Sequence, residues 1–463
     1  MATKTTLNED QQDAFNILKR FIDHPAADTF VLLGYAGTGK TFLMQHLAGW
    51  LESKDYRFSL LAATGRAAAV LRGKTGRTAK TVHSHLYHFA KMDGIPEDLP
   101  EDAPIDNHGQ LILTFAIRTP ETVKQILIID ESSMLSNLPS EEVGGMIFGS
   151  GRLLNDLFEY ARGHKIIFVG DPGQLPPVKE HSSPALDVDW LQQQKRVAIS
   201  YTLSKNERND PDNDILVLAS MIRNMESTKE FQKLLECELN NVRVLESNEN
   251  LFRSYFKSFK EKGPNQTIAI ARTNLMVNNI NMAMRRDLFQ DPRKPIQEGE
   301  VLLVTYNNRK ALLTNGDFVV VVRTGASHVH TLLRFQEIRI RSLLTDSEQD
   351  LYISLDILEG PRQNFTETQL QTLMIDFSRR MKKLDIEQAS DEYQNRMMND
   401  PYLNCLRAKF GYGVTCHKAQ GGEWGEVFLF LDKNIRKMPH PALLRWWYTA
   451  VTRAKQTLYL SKP

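Results

Sequence analysis

At 463 residues the chain is too long for one ordinary core, and two to four domains are expected. A hydrophobic fraction of 41% and a charged fraction of 24% are those of a globular protein, and 57 Lys plus Arg against 56 Asp plus Glu exclude a polybasic or polyacidic chain, so any basic surface is local. The cysteines Cys237, Cys405 and Cys416 lack metal-like spacing, the N-terminus has no signal-peptide core, and no apolar run reaches the roughly 18 residues of a membrane span. The expectation is a cytoplasmic protein (host cytoplasm for a phage-encoded chain) with no membrane partner.

In chain order, the first 200 residues alternate short apolar runs with helical patterns, as βα units do. The spacing predicts strands over Phe30–Leu33, Phe58–Ala62, Gln125–Ile129 and Lys165–Val169. Residues 88–122 interrupt this rhythm with the acidic IPEDLPEDAPID, read as a loop, and the strand-like QLILTFAIR, read as part of a β-hairpin. Another strand, TIAIA, ends at residue 271. From 286 to 402 the rhythm is lost. VLLVTYNN, DFVVVVR and EIRIRS there read as strands of a small barrel, and TETQLQTLMIDFSRRMKKLDIEQ as a helix. After residue 403 the strands VFLFLD and TLYLS return around the helical PALLRWWYTAVTRA. The layout implied is two α/β units, each carrying an insertion.

Residues 34–41, GYAGTGKT, fit G-x-x-x-x-G-K-[ST] in full, with the apolar strand FVLL before them and a helical pattern after. Gly34, Gly37, Thr38 and Gly39 let successive backbone N–H groups curl around phosphate oxygens, at a helix N-terminus that favours anions. Lys40 supplies the cation for the β and γ phosphates and Thr41 a hydroxyl for Mg²⁺. In ILIIDESSM, Asp130 and Glu131 close a buried strand, at the sheet edge where open α/β folds gather their ligand chemistry. Asp130 suits the metal shell, and Glu131 suits polarising the attacking water. KIIFVGDPGQLPPV ends another strand in a polar turn, from which Gln174 is placed to sense a γ-phosphate.

GYAGTGKT, IIDESSM, VGDPGQLPPV, TCHKAQGGEW and YTAVTRAKQTLYL occur in the order of the superfamily 1 helicase motifs. The chain resembles the RecD, Dda and Pif-type helicases, the 5′→3′ branch called superfamily 1B, over nearly its whole length. The resemblance implies two RecA-like P-loop motor domains with a β-hairpin insertion in the first and an SH3-like β-barrel insertion in the second. It implies boundaries of 1–190 for the first motor, with 88–122 as the inserted hairpin, then 191–285 plus 403–463 for the second, with 286–402 as the inserted barrel and its helical extension. Gln11 of LNEDQQDAFN matches the glutamine that reads adenine, with Gln12 one residue away. Thr64 of AATGRAA and His83 of TVHSHLY match DNA-facing motifs. Arg208 of LSKNER and Arg453 of AVTRAK match arginines that reach the γ-phosphate from the second motor. In TCHKAQGGEW, Thr415 and His417 match DNA contacts, Lys418 reaches a phosphate and Glu423 faces the ribose. The resembling helicases use a β-hairpin in this region as a pin at the fork, which implies that role here with Phe115 as the candidate residue; the alternative is that Phe115 anchors the hairpin to the inserted barrel.

Taken together these features imply an ATP- and Mg²⁺-dependent 5′→3′ DNA helicase, a monomeric motor on single-stranded and forked DNA, serving replication, recombination or repair. Two rivals stand beside it: a DNA-stimulated translocase that does not part strands, and a nucleotide-gated DNA-binding subunit of a larger complex. Trp446 and Trp447 read as core rather than as base-stacking platforms, and the run Ser378–Lys383 as a solvated helix face. Replacing Lys40 by Ala is expected to abolish nearly all ATP hydrolysis, whereas Glu131→Gln should still bind ATP and turn it over very slowly. A filter-binding assay run beside a phosphate-release assay separates the two, and substantial turnover by Glu131→Gln would remove that residue from the mechanism.

Overall fold

The computed structural model describes residues 6–93, 112–139, 146–205, 214–225, 239–289, 296–308, 310–388, 390–432 and 434–461. Two parallel sheets organise the chain. The first runs β3 (Ala79–Thr81), β2 (Phe58–Ala62), β6 (Ile126–Asp130), β8 (Lys165–Gly170), β1 (Thr29–Gly34), β9 (Ala198–Leu203). Every neighbouring pair is parallel. Such a sheet needs cover on both faces, and side chains alternate between them. Phe30 and Leu32 of β1 pack in one layer with Leu18, Leu43 and Leu47. Val31 packs in the other with Leu86, Leu154 and Leu157.

The second sheet runs β10 (Val242–Leu245), β19 (Ala454–Ser461), β18 (Trp424–Phe430), β11 (Thr267–Ala271), β17 (Gly413–Thr415), again all parallel. All seven residues of β18 are buried. Its one carboxylate, Glu426, is paired with Lys262 at 2.6 Å. Trp446 and Trp447 are core residues, 2% and 3% exposed.

Between β11 and β17 the chain leaves this sheet and builds an antiparallel one, in the order β15 (Glu348–Ser354), β14 (Leu333–Ser342), β13 (Phe318–His330), β12 (Val301–Val304), β16 (Ala408–Phe410). β13 and β14 meet at Thr331 and Leu332, both at positive φ (50° and 68°), the backbone of a tight hairpin turn. The helix Glu367–Lys382 starts on a Thr366–Gln369 capping box and forms a separate cluster with Phe365, Tyr393 and Met397. Its run of basic residues is only partly a solvated face: Lys382 and Lys383 are exposed, but Arg380 bonds Asp376 (2.8 Å) and Asp400 (2.6 Å).

A third, small sheet joins β4 (Tyr87–Asp93), β5 (Ile112–Ile117) and β7 (Met146–Phe148). The β4–β5 pair is antiparallel with Phe89 opposite Phe115 and a bulge between Phe89 and Lys91. The acidic segment expected as a loop, and Leu111, lie outside the described residues.

Two placements differ from the expected boundaries. β9, at 198–203, completes the first sheet although that unit was expected to end at 190. β16, at 408–410, completes the antiparallel sheet although the insertion was expected to end at 402. The reason is the same in both cases. β9 is a half-exposed edge strand with no run of buried residues, and β16 has three residues, so neither carries an apolar period.

Phe89 joins the two insertions. It packs against the cluster around helix Glu367–Lys382, while its ring sits edge-on to Phe115 (5.8 Å between centroids). Phe115 in turn stacks on Phe148 at 4.6 Å. Truncating a half-buried phenylalanine costs about 1–2 kcal/mol of local packing. Phe89→Ala is therefore expected to raise amide exchange in both Tyr87–Asp93 and Glu367–Lys382 while leaving β1 and β6 protected. A rise confined to one of those two segments would show that Phe89 does not join them.

Candidate nucleotide and nucleic-acid site

β1 delivers the loop 34–39 to the carboxyl edge of the first sheet, and the helix Lys40–Ser53 leaves from it. Gly37 and Gly39 sit at φ 88° and 78°, a region that side chains rarely enter, and a Cβ on Gly34 would lie 2.6 Å from Thr38 Oγ1. Glycine at these places is what lets the loop close on itself. The Lys40 ammonium folds back onto that loop, donating to the carbonyls of Gly34 (2.6 Å) and Tyr35 (3.1 Å). Gln11 is 1% exposed and donates Nε2 to Thr38 O at 3.1 Å, while its Oε1 accepts from Asn8 N. The N-terminal helix is thereby tied to the phosphate loop. Gln12 is exposed and bonds Asn16 instead.

Asp130 and Glu131 follow β6 directly. Glu131 takes a left-handed backbone conformation (φ 52°), unusual for a residue with a Cβ, and its N–H donates to Asp130 Oδ1 at 2.8 Å. Burial and the adjacent Asp130 carboxylate push the Glu131 carboxyl up to about 7, opposed by the positive charges of Arg453 and Lys40. Burial also raises Asp130. Two half-buried carboxyls beside a glycine cradle and a lysine bonded only to carbonyls form a donor set that suits a polyphosphate with a divalent cation.

The loop after β8 reaches the same edge. Gln174 is 5% exposed, and its Oε1 has no hydrogen-bond partner among the described residues. Arg453 comes from the second sheet, 4% exposed, with its guanidinium held by Thr449 O (3.0 Å), Gly422 O (3.2 Å) and Thr452 Oγ1 (3.1 Å). Lys40, Asp130, Glu131, Gln174 and Arg453 thus gather where the two parallel sheets face one another. Arg208 lies outside the described residues. Thr41 begins the helix after the loop, partly exposed.

The residues read as DNA-facing lie elsewhere around the same interface. Thr64 caps the helix Gly65–Thr75 by accepting from Ala67 N. His83 is exposed and packs edge-on to Phe148. Thr415 ends β17, and Cys416–Ala419 is one short helical turn. Burial lowers His417 and pushes the Lys418 ammonium down to about 8; Lys418 Nζ donates to Gln363 Oε1 at 2.9 Å. Glu423 lies near Lys455 (3.2 Å) and, across the interface, Lys74 (3.8 Å).

Residues 6–236 match the family described as the AAA domain, and residues 410–461 match the UvrD-like helicase C-terminal domain. The ATP-dependent RecD2 DNA helicase of Deinococcus radiodurans is 24% identical over 430 residues, which is 93% of this chain and 46% of that protein. The RecD subunit of the RecBCD enzyme of Buchnera aphidicola is 26% identical over 379 residues, 72% of this chain and 53% of that one. The chain thus carries helicase-type matches at both ends and is similar in sequence to RecD-type helicases. It spans only about half the length of these curated relatives. Among solved structures, a Pif1 helicase from a study of unwinding at forked duplex DNA superposes with a TM-score of 0.53 at 16% identity, over 99% of this chain and 92% of that one. Pif1 from Candida albicans gives 0.51 at 15%, over 99% and 95%. These likenesses establish a RecA-like fold for the two parallel sheets.

Two features of the site carried no separable sequence signal. Arg66, inside AATGRAA, places its guanidinium over the Trp424 ring (4.2 Å) and the Phe318 ring (5.0 Å), so one side chain joins the first sheet to the second and to the antiparallel sheet. Tyr448 and Thr449, inside YTAVTRA, reach across to the loop after β8. Their partners lie more than 270 residues away in the chain, beyond the reach of any local pattern.

The raised Glu131 carboxyl makes a pH prediction. An acid whose value is pushed up to about 7 is protonated below that pH and ionised above it. If Glu131 accepts the proton of the attacking water, kcat/KM for ATP, which reports the free protein, should rise through roughly pH 7 as pH increases. A profile flat from pH 6 to 8 would contradict this.

Proposed function

We propose that this chain is an ATP-dependent 5′→3′ DNA helicase. The observation that carries the reading is the division of the nucleotide groups between two sheets: Lys40, Asp130, Glu131 and Gln174 on the first, Arg453 on the second. Phosphoryl transfer depends mostly on positioning and on neutralising charge, and an arginine supplied from across a cleft is worth about 10³–10⁵ in rate. Binding energy for the phosphates therefore becomes a force drawing the two sheets together, and loss of the γ-phosphate releases them.

In this reading the backbone of Gly34–Lys40 and the Lys40 ammonium hold the phosphates. Thr41 and Asp130 hold Mg²⁺, which supplies charge neutralisation when bound. Glu131 orients the water and takes its proton. Gln174 senses the γ-phosphate, and Arg208 joins Arg453 from the second motor. Gln11 reads the adenine; its amide is committed to Asn8 and Thr38, so base reading requires those bonds to exchange. Glu423 faces the ribose. Thr64, His83, Thr415, His417 and Lys418 line the path of single-stranded DNA. Burial holds the Lys418 ammonium down to about 8, and a DNA phosphate beside it would supply a counter-charge that opposes this.

The first motor corresponds to 1–190 extended through β9, the second to the remainder of 191–285 with 403–463, and the antiparallel sheet with its helices to an SH3-like insertion. The β4–β5 pair is the strand-separating pin, and Phe115, stacked on Phe148 near its base, is the residue to test. A monomer on forked DNA suffices for this cycle.

Duplexes carrying a 5′ or a 3′ single-stranded tail test the reading directly. Unwinding is expected with the 5′ tail, with ATPase stimulated by single-stranded DNA and abolished by Lys40→Ala. Unwinding only from the 3′ tail would refute the polarity, and stimulated ATPase with no unwinding would favour a translocase that does not part strands. Phe115→Ala should reduce unwinding more than ATPase; equal losses would assign it a structural role.

A further inference from the structure

The loop that carries Gln174 is gripped from across the interface by three side chains. Tyr448 Oη donates to Asp171 Oδ2 at 2.8 Å. Leu175 N donates to Thr449 Oγ1 at 2.9 Å, and Gln420 Nε2 donates to Leu175 O at 3.0 Å. Tyr448 does more than the other two. Its oxygen also accepts from the N–H of Ala36, within the phosphate loop, at 2.8 Å. One hydroxyl from the second motor thus touches both nucleotide-facing loops of the first.

The bonding there is fully matched. A phenol has one proton to give, and it goes to Asp171; a lone pair takes the Ala36 N–H. The second oxygen of Asp171 accepts from Gly173 N at 2.9 Å, which fixes the carboxylate within its turn. The Tyr448 ring is 3% exposed and sits edge-on to Tyr35 at 6.4 Å. Burial and the Asp171 charge hold the phenol far above its usual range, so it stays protonated and the direction of the bridge is constant. Tyr448 also stands near the end of the helix His440–Val451, and that helix leads straight into Arg453.

We propose that Tyr448 is a positioning residue for ATP hydrolysis: its hydroxyl sets the spacing between the phosphate loop and the Gln174 loop and ties that spacing to the helix that presents Arg453. Approach of Arg453 to the phosphates and alignment of Gln174 are then one movement, because a displacement of the helix acts on both loops through a single oxygen. Phosphates remain free to bind through residues 37–41, since the N–H that Tyr448 occupies is that of Ala36. The proposal rests on the helicase reading above.

Tyr448→Phe tests it, because the ring and its packing remain while Asp171 Oδ2 and the Ala36 N–H lose their partner. KM for ATP is expected to stay within about twofold, while kcat at saturating single-stranded DNA falls roughly ten- to a hundredfold, the consequence of leaving buried polar groups unpaired at a site that must align. Asp171→Asn, which keeps the side-chain volume, should give a similar loss, and the double variant should be no worse than the weaker single one because both break the same bridge. Unchanged kcat in Tyr448→Phe, or losses that multiply in the double variant, would overturn the proposal. A melting curve like the parent's with kcat reduced supports positioning; a lowered melting temperature with kcat and KM changed in parallel assigns Tyr448 to structure alone and overturns it. The helicase reading fails separately, if the parent chain itself lacks DNA-stimulated hydrolysis that Lys40→Ala removes.

Discussion

Asp130 and Glu131 sit half-buried side by side at the end of β6, and carboxylates withdrawn from water are costly unless positive charge stands near them. Around that constraint the site is arranged. Lys40 approaches from the same sheet and Arg453 from the other, yet both cations rest on backbone carbonyls rather than on the carboxyls. The charges are close enough to be felt and are not neutralised by direct pairing. That donor set suits a polyphosphate with a divalent cation.

Side chains that make no contact with the carboxyls also span the cleft. The Arg66 guanidinium lies over Trp424 and Phe318, Tyr448 and Thr449 hold the loop after β8, and Gln420 reaches Leu175. The last three cross between the two parallel sheets with short, directional bonds. Such bonds are sensitive to small changes in spacing, which is the property a cleft needs if hydrolysis is to become movement.

Phe89 of β4 packs on the cluster around helix Glu367–Lys382 while touching Phe115 of β5. The small sheet of β4, β5 and β7 is thereby backed by a folded body. A two-stranded ribbon by itself is marginally stable in water, and a third strand with packing of this kind stabilises it.

What the sequence determined by itself were the elements whose signal is local. GYAGTGKT needs its glycines for a closed loop, and IIDESSM and KIIFVGDPGQ place polar groups after buried strands, so β1, β6 and β8 and the groups they carry were readable without coordinates. β2 and β11 were read residue for residue, because each is a short apolar run buried along most of its length. Tertiary structure alone decided which sheet took β9 and β16, because an edge strand exposed along one side and a three-residue strand have no period to read. It also decided the length of β13, whose outer half is largely solvent-facing and follows its partner β14 rather than its own pattern. Above all it decided the partners of Tyr448, Gln420 and Arg66. A hydroxyl, an amide or a guanidinium makes its bonds according to what folding brings within about 3 Å of it, and that is a property of the packed chain rather than of the residues on either side.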